Sequence, residues 1–330
     1  MATSWRLVGV RHSLGRRPKI LPMLRVPALF TVTLLGVAWA AAQGQSPVEA
    51  RQSLLQQLQS GKFQDAIQGG EQAAAQWPAD AEIRHLLGLA YFKQGLLPPA
   101  REQLEHARDL SKKDSQVLFD LALVCLSQQD YAAAADSLER TVKLAPSNAL
   151  AHVLLGRAYL NSNRSVQSID EFKAALRIDP AIRLGHYHLG FAYASLGRTA
   201  EAITEFREEL RRSGEHPEVV FQLGHNLLES GKYEDAIGYL RRASEIDAQN
   251  WDVWYNLGKA ELLAGRYVPA EVSLRKSIAL NPEDPSPHYQ LARALDKQGK
   301  PDEARAEREK FTALKKKKPA SAGMATGRDQ

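Results

Sequence analysis

A leucine followed by a very small residue returns every 34 positions through most of this chain: Leu87–Gly88, Leu121–Ala122, Leu155–Gly156, Leu189–Gly190, Leu223–Gly224, Leu257–Gly258 and Leu291–Ala292. No insertion disturbs the register, so the fold must be built from one supersecondary unit used repeatedly. A second small position keeps the same period, at Ala66, Ala100, Ala134, Ser168, Ala202, Ala236, Ala270 and Ala304. The stretch from Trp251 to Asp284 shows the unit clearly. Trp254, Leu257 and Leu262 recur at helical spacing, and Gly265 stands where a left-handed C-cap would end a helix. Tyr267, Ala270, Leu274, Ile278 and Leu280 then form a second apolar stripe, and Pro282 closes it. Neither helix can bury its stripe alone, so the units must stack.

The glycines need a packing reason, because one in a helix interior costs about 1 kcal/mol relative to alanine. Close helix approach supplies it. With Gly or Ala facing Ala across each hairpin, larger residues on either side can interlock. The expected knobs are Tyr91, Tyr159 and Tyr193 from first helices, and Leu104, Leu138, Phe172, Phe206, Leu240 and Leu274 from second helices. The turn position reads Gly61, Gly95, Gln129, Asn163, Gly197, Gly231, Gly265 and Gly299, with Gln129 the one poor fit to a left-handed backbone.

This spacing and its small-residue pattern resemble the tetratricopeptide repeat family, whose unit is a 34-residue helix-turn-helix. The resemblance implies an all-α, right-handed superhelical solenoid of eight units: 47–80, 81–114, 115–148, 149–182, 183–216, 217–250, 251–284 and 285–314. The first unit is irregular at Ser53, Leu54 and Gly70 and reads as an N-terminal cap. Pro301 to Leu314 reads as a capping helix, with Arg308 where other units carry Leu or Phe. Residues 315–330 have no apolar periodicity and are expected to be a disordered basic tail.

Residues 1–42 have the pattern of an export signal. Six basic residues and no acid precede Gln43, and an apolar run from Pro27 ends in Ala40-Ala41-Ala42, an A-x-A cleavage pattern. The run is shorter than the roughly 20 residues of a membrane span; the alternatives are an uncleaved anchor and a mitochondrial presequence. Met23 opens a compact signal of its own and is a second candidate start. Residues 43–46 would be a short linker. The expected location is therefore exported, periplasmic or secreted, and membrane-anchored if 27–42 remain. Removal of the signal also removes the basic excess: the whole chain has 43 Lys+Arg against 38 Asp+Glu, and beyond residue 42 the basic count falls to 37. A near-neutral array does not call for nucleic acid.

Cys125, the only cysteine, sits at the phase of Tyr91, Tyr159 and Tyr193 and is expected in the core. There is no H-E-x-x-H, no phosphate-binding glycine loop and no G-x-S-x-G. His152, His186 and His288 share the phase of Trp254, a niche for a ring rather than a metal ladder. No enzyme activity, metal or cofactor is expected.

Surface recognition remains. In the family that this chain resembles, the second, fifth, ninth, twelfth and thirteenth positions of first helices line an inner groove. Here the fifth reads Arg51, His85, Phe119, Val153, Tyr187, Phe221, Tyr255 and Tyr289, and the ninth reads Leu55, Leu89, Leu123, Arg157, Phe191, His225, Lys259 and Arg293. The candidate groove residues are Phe119, Arg157, Tyr187, Phe191, Phe221, His225, Tyr255, Lys259, Tyr289 and Arg293. Rings interleaved with cations suit an extended peptide; the other reading is that the rings pack adjacent first helices together. The Lys/Asn/Arg clamp by which some members grip a C-terminal carboxylate is absent, with Asn256 and Lys259 as single matches, as is the asparagine ladder of sugar-transferase arrays. The expected function is a non-enzymatic scaffold or adaptor that binds a protein or peptide partner. The alternative is a structural cell-envelope component that binds glycan or an assembly complex.

Overall fold

The computed structural model describes residues 46–317, and among them the chain is entirely helical and irregular, without strands. The expected export segment and most of the expected tail lie outside the described residues. Among the described residues, sixteen helices form eight hairpins. They are α1 (Pro47–Gln59) with α2 (Phe63–Gln76), α3 (Ala81–Lys93) with α4 (Leu97–Leu110), α5 (Ser115–Ser127) with α6 (Tyr131–Leu144), and α7 (Ala149–Asn161) with α8 (Ser165–Ile178). There follow α9 (Gly185–Ser195) with α10 (Thr199–Ser213), α11 (Pro217–Glu229) with α12 (Tyr233–Ile246), α13 (Trp251–Leu263) with α14 (Tyr267–Leu280), and α15 (Pro285–Lys297) with α16 (Pro301–Lys317). Each helix packs on its neighbours in the chain, and first helices of successive units also approach one another. This is a solenoid in which the odd-numbered helices share one face.

The hairpin contact differs in one detail from the expectation. The first-helix glycine faces not the second-helix alanine but the large residue 16 positions on. A Cβ built on Gly156 would lie 2.6 Å from Phe172, on Gly190 2.9 Å from Phe206, and on Gly258 2.6 Å from Leu274. The alanine contributes its backbone, as with the Ala202 carbonyl 3.2 Å from the Gly190 position. The reason is geometric: a fully buried knob needs a hole with little or no side chain, which glycine, or alanine at Ala122, provides. In the first unit the sizes are exchanged. Leu54 occupies the small position and is buried, and Gly70 occupies the knob position, 3.5 Å from Leu54 once given a Cβ. In the last unit the knob is Arg308, which turns to Asp296 at 2.6 Å and meets solvent.

The turns follow the expected backbone. Gln129 and Asn163 have φ of 62° and 57°, alongside the six turn glycines. Leu184 at φ 59° is an addition that the pattern does not announce. Most first helices are opened by Asp or Asn: Asp80, Asp114, Asn148, Asn250 and Asp284 each accept one or two amides from the first turn. Cys125 is buried, and burial pushes its thiol up to about 11. The last helix runs three residues past Leu314, so Lys315 to Lys317 are helical rather than part of a disordered tail. Cations suit a helix C-terminus, Lys315 lies over the Phe311 ring at 5.7 Å, and Lys317 reaches Glu283 at 3.3 Å.

Candidate functional site

The face shared by the odd-numbered helices changes character along the array. In the first half it is largely apolar: Leu89, Leu123, Phe119, Phe92 and Leu126 are half-buried, and Leu55 is exposed. Two polar clusters on it are internally paired. His85 Nε2 lies 2.7 Å from Asp120, which also accepts from Gln116 Nε2 at 3.1 Å, and Arg51 pairs with Asp80 and Glu82.

In the second half the face is polar and aromatic. Asn256 donates to the Asp252 carboxylate at 2.9 Å and its Oδ1 lies 3.0 Å from His225 Nδ1. Burial holds the Asp252 carboxyl above its usual range against the opposing pull of His225 and Asn256. Lys259 is bonded to Glu229 at 2.8 Å, a hydrogen bond that, despite partial burial, holds the Glu229 carboxyl low. Arg293 donates to Gln290 at 2.9 Å and lies 6.0 Å over the Tyr289 ring.

The candidate residues therefore separate into three groups. Tyr187 is core: it is 3% exposed and packs with Phe206 at 5.9 Å and His188 at 5.4 Å. Its hydroxyl is buried without a formed hydrogen bond, and burial and the Glu218 carboxylate both push its pKa up. Phe119, Phe191, Phe221, His225 and Tyr255 are half-buried; Phe191 lies 6.3 Å from Tyr187, and Phe221 lies 6.2 Å from His225. Both of these contacts run along a single helix, four residues apart, and all five rings keep part of their surface exposed. Arg157, Tyr289 and Arg293 are exposed, whereas Lys259 is half-buried and neutralised by Glu229. Tyr289 also rests against Phe311 of α16 at 5.4 Å.

Two groups escaped the sequence pattern. His188 lies beside Arg157 with its ring stacked on Phe172 at 5.5 Å; burial, assisted by Arg157, drives its pKa down to about 4, so it is neutral. The Asp252–Asn256 pair is spaced i, i+4 on α13, but its link to His225 crosses units. The histidines at the Trp254 phase do fill a ring niche. His152, His186 and His288 meet Glu171, Glu205 and Glu307 at 2.7, 2.7 and 2.5 Å, each 19 residues on. No cluster of three metal-ligating groups occurs among the described residues.

An all-α stack of 34-residue hairpins with a shared, mixed-polarity face defines a repeat scaffold. Models of the tetratricopeptide repeat match residues 57–118, 119–182, 185–215, 221–285 and 261–315. Together they cover well over half of the sequence, and the chain belongs to the tetratricopeptide repeat family. No curated protein matches it. Among solved structures it is similar to MamA residues 41 to the end from Desulfovibrio magneticus RS-1, with 20% identity, a TM-score of 0.50, and coverage of 52% of this chain and 97% of that one. It is also similar to YrrB, described as a TPR protein with an unusual peptide-binding site, with 17% identity, a TM-score of 0.51, and coverage of 56% and 95%. A third is the APC/C hetero-tetramer Cut9-Hcn1, with 16% identity, a TM-score of 0.53, and coverage of 79% and 51%. At these identities the likeness is one of fold.

Proposed function

We propose that this protein is a non-enzymatic scaffold or adaptor that binds an extended polypeptide along the face of its first helices. The observation that carries this reading is the series of half-buried rings at Phe191, Phe221 and Tyr255 that ends in the exposed Tyr289, interleaved with Arg157 and Arg293. Such edges give apolar contact at low entropic cost, and the cations add polar selectivity. The peptide-binding site described for YrrB is a precedent on the same fold. The signal-like pattern before Gln43 supports an exported location.

The test is affinity capture from the native host with wild-type protein and a Tyr255→Ala, Tyr289→Ala double variant. A small set of exported proteins held by wild type and lost from the variant is the expected result. Retention on peptidoglycan or glycan that both forms share would overturn the adaptor reading in favour of an envelope component, and turnover of a substrate by purified protein would overturn both.

A further inference from the structure

Arg157 differs from every other arginine on the first helices. Arg51 pairs with Asp80 and Glu82, Arg84 donates to Gln103 at 2.7 Å, and Arg293 donates to Gln290. Arg157, in the middle of α7, is exposed, and its guanidinium has no hydrogen bond or ion pair among the described residues. Lys259, at the same repeat phase three units on, is by contrast paired with Glu229 at 2.8 Å. His188, whose pKa burial drives down to about 4, adds no second positive charge there. An exposed guanidinium with five donors and no acceptor, set where an apolar strip meets an aromatic one, is complementary to a carboxylate.

The geometry points to Arg157 as the anchor for one acidic side chain of the bound polypeptide, with aliphatic residues on the side that runs toward Leu123 and Leu89. This rests on the groove reading above and deepens it. The acid is an internal Asp or Glu rather than a chain end, because the face continues in both directions from α7, through α5 and α3 on one side and α9 to α15 on the other. Nothing closes it at Arg157. The remaining cations compete weakly, since Lys259 is held by Glu229 and Arg293 lies four units away.

The experiment is selection from a random 12-residue peptide library, displayed with its C-terminus fused so that side chains supply every carboxylate apart from the carrier's own. It is run on the full chain, on Arg157→Ala, on Lys259→Ala, and on the Tyr255→Ala, Tyr289→Ala double variant. The expected result is enrichment of Asp or Glu next to aliphatic residues on wild type and on Lys259→Ala. On Arg157→Ala the aliphatic preference persists and the acidic one disappears, and a selected peptide with its acid changed to the amide binds wild type roughly tenfold more weakly. An acidic preference that survives Arg157→Ala, or peptides enriched without any acid, overturns the anchor. If those peptides are nevertheless lost from the Tyr255, Tyr289 double variant, the groove reading stands without it. No enrichment on wild type overturns both.

Discussion

The entries to α7 and α9 lie one repeat apart and solve the same problem by different means. At α7, Asn148 does what the repeat leads one to expect, its Oδ1 accepting the Ala151 amide at 3.0 Å. At α9 the corresponding residue is Ile182, the preceding loop takes Leu184 through a left-handed conformation, and the helix is 11 rather than 13 residues long. Its first-turn amide at Tyr187 instead donates to Glu209 at 3.3 Å, a buried carboxylate from the far end of α10 that also accepts from Ser213 at 2.7 Å. Four other units carry alanine at that phase, Ala73, Ala107, Ala175 and Ala243, and none carries an acid. Yet both units keep the same interior, with His152–Glu171 and His186–Glu205 both at 2.7 Å and a large ring seated on Gly156 and Gly190. The hairpin interior is fixed; the junction is open to substitution provided the orphan amide finds an acceptor.

That contrast is broken most directly at the interior. Gly156→Leu and Gly190→Leu should each cost about 1 to 3 kcal/mol by overpacking, and by similar amounts, in thermal melts followed by circular dichroism. Tolerance at one site alone would show that the two interiors are not equivalent. The junctions should differ. Glu209→Ala should cost about 2 kcal/mol, because it leaves the buried Tyr187 amide without an acceptor, whereas Asn148→Ala should cost about 1 kcal/mol. Equal losses in urea titrations would mean that Glu209 is no more than another cap.

A smaller effect separates two buried glutamates by sign. Burial raises the Glu261 pKa despite opposing contacts with Ser273 and Arg241. Its ionised form is disfavoured in the folded state, so its contribution declines as pH rises from the ordinary carboxylate range through the raised value. Glu307 is the reverse: burial pushes it up, but hydrogen bonds from Lys310 and His288 outweigh this and lower it. Its contribution is present above the ordinary range and is lost as pH falls through the lowered value. Urea midpoints from pH 3.5 to 7 should therefore show Glu261→Gln gaining on wild type as pH rises and Glu307→Gln falling behind. Parallel curves would contradict both assignments. The smallest effect is expected at Gln129→Gly, a gain of about 0.5 kcal/mol from relief of its left-handed backbone. Destabilisation would show that the Gln129 side chain contributes more than its conformation costs.

What could be read in advance followed from residue size and period. The small positions, the buried leucines and phenylalanines and the left-handed Gln129 and Asn163 all lie within one unit and return in phase. Leu184 did not, because the acceptor that replaces its missing cap comes from Glu209, on the opposite helix of the hairpin. Tyr187 was legible as a first-helix ring, but its packing against Phe206 and His188 takes it out of the groove. The exchange of Leu54 and Gly70 was visible as irregularity, and only their contact shows it to be the same knob and hole with its members reversed.

By itself the sequence determined the hairpin and the period at which it returns, since side-chain volume at a fixed helical phase decides which residues can close the stack. The tertiary structure decided which of the charges on the inner face are still free to act. Lys259 and Arg157 stand at the same phase and look alike in one dimension. Lys259 finds Glu229 from the preceding unit at 2.8 Å and Arg157 finds no acceptor among the described residues. That difference depends on distances between stacked units, which periodicity does not encode.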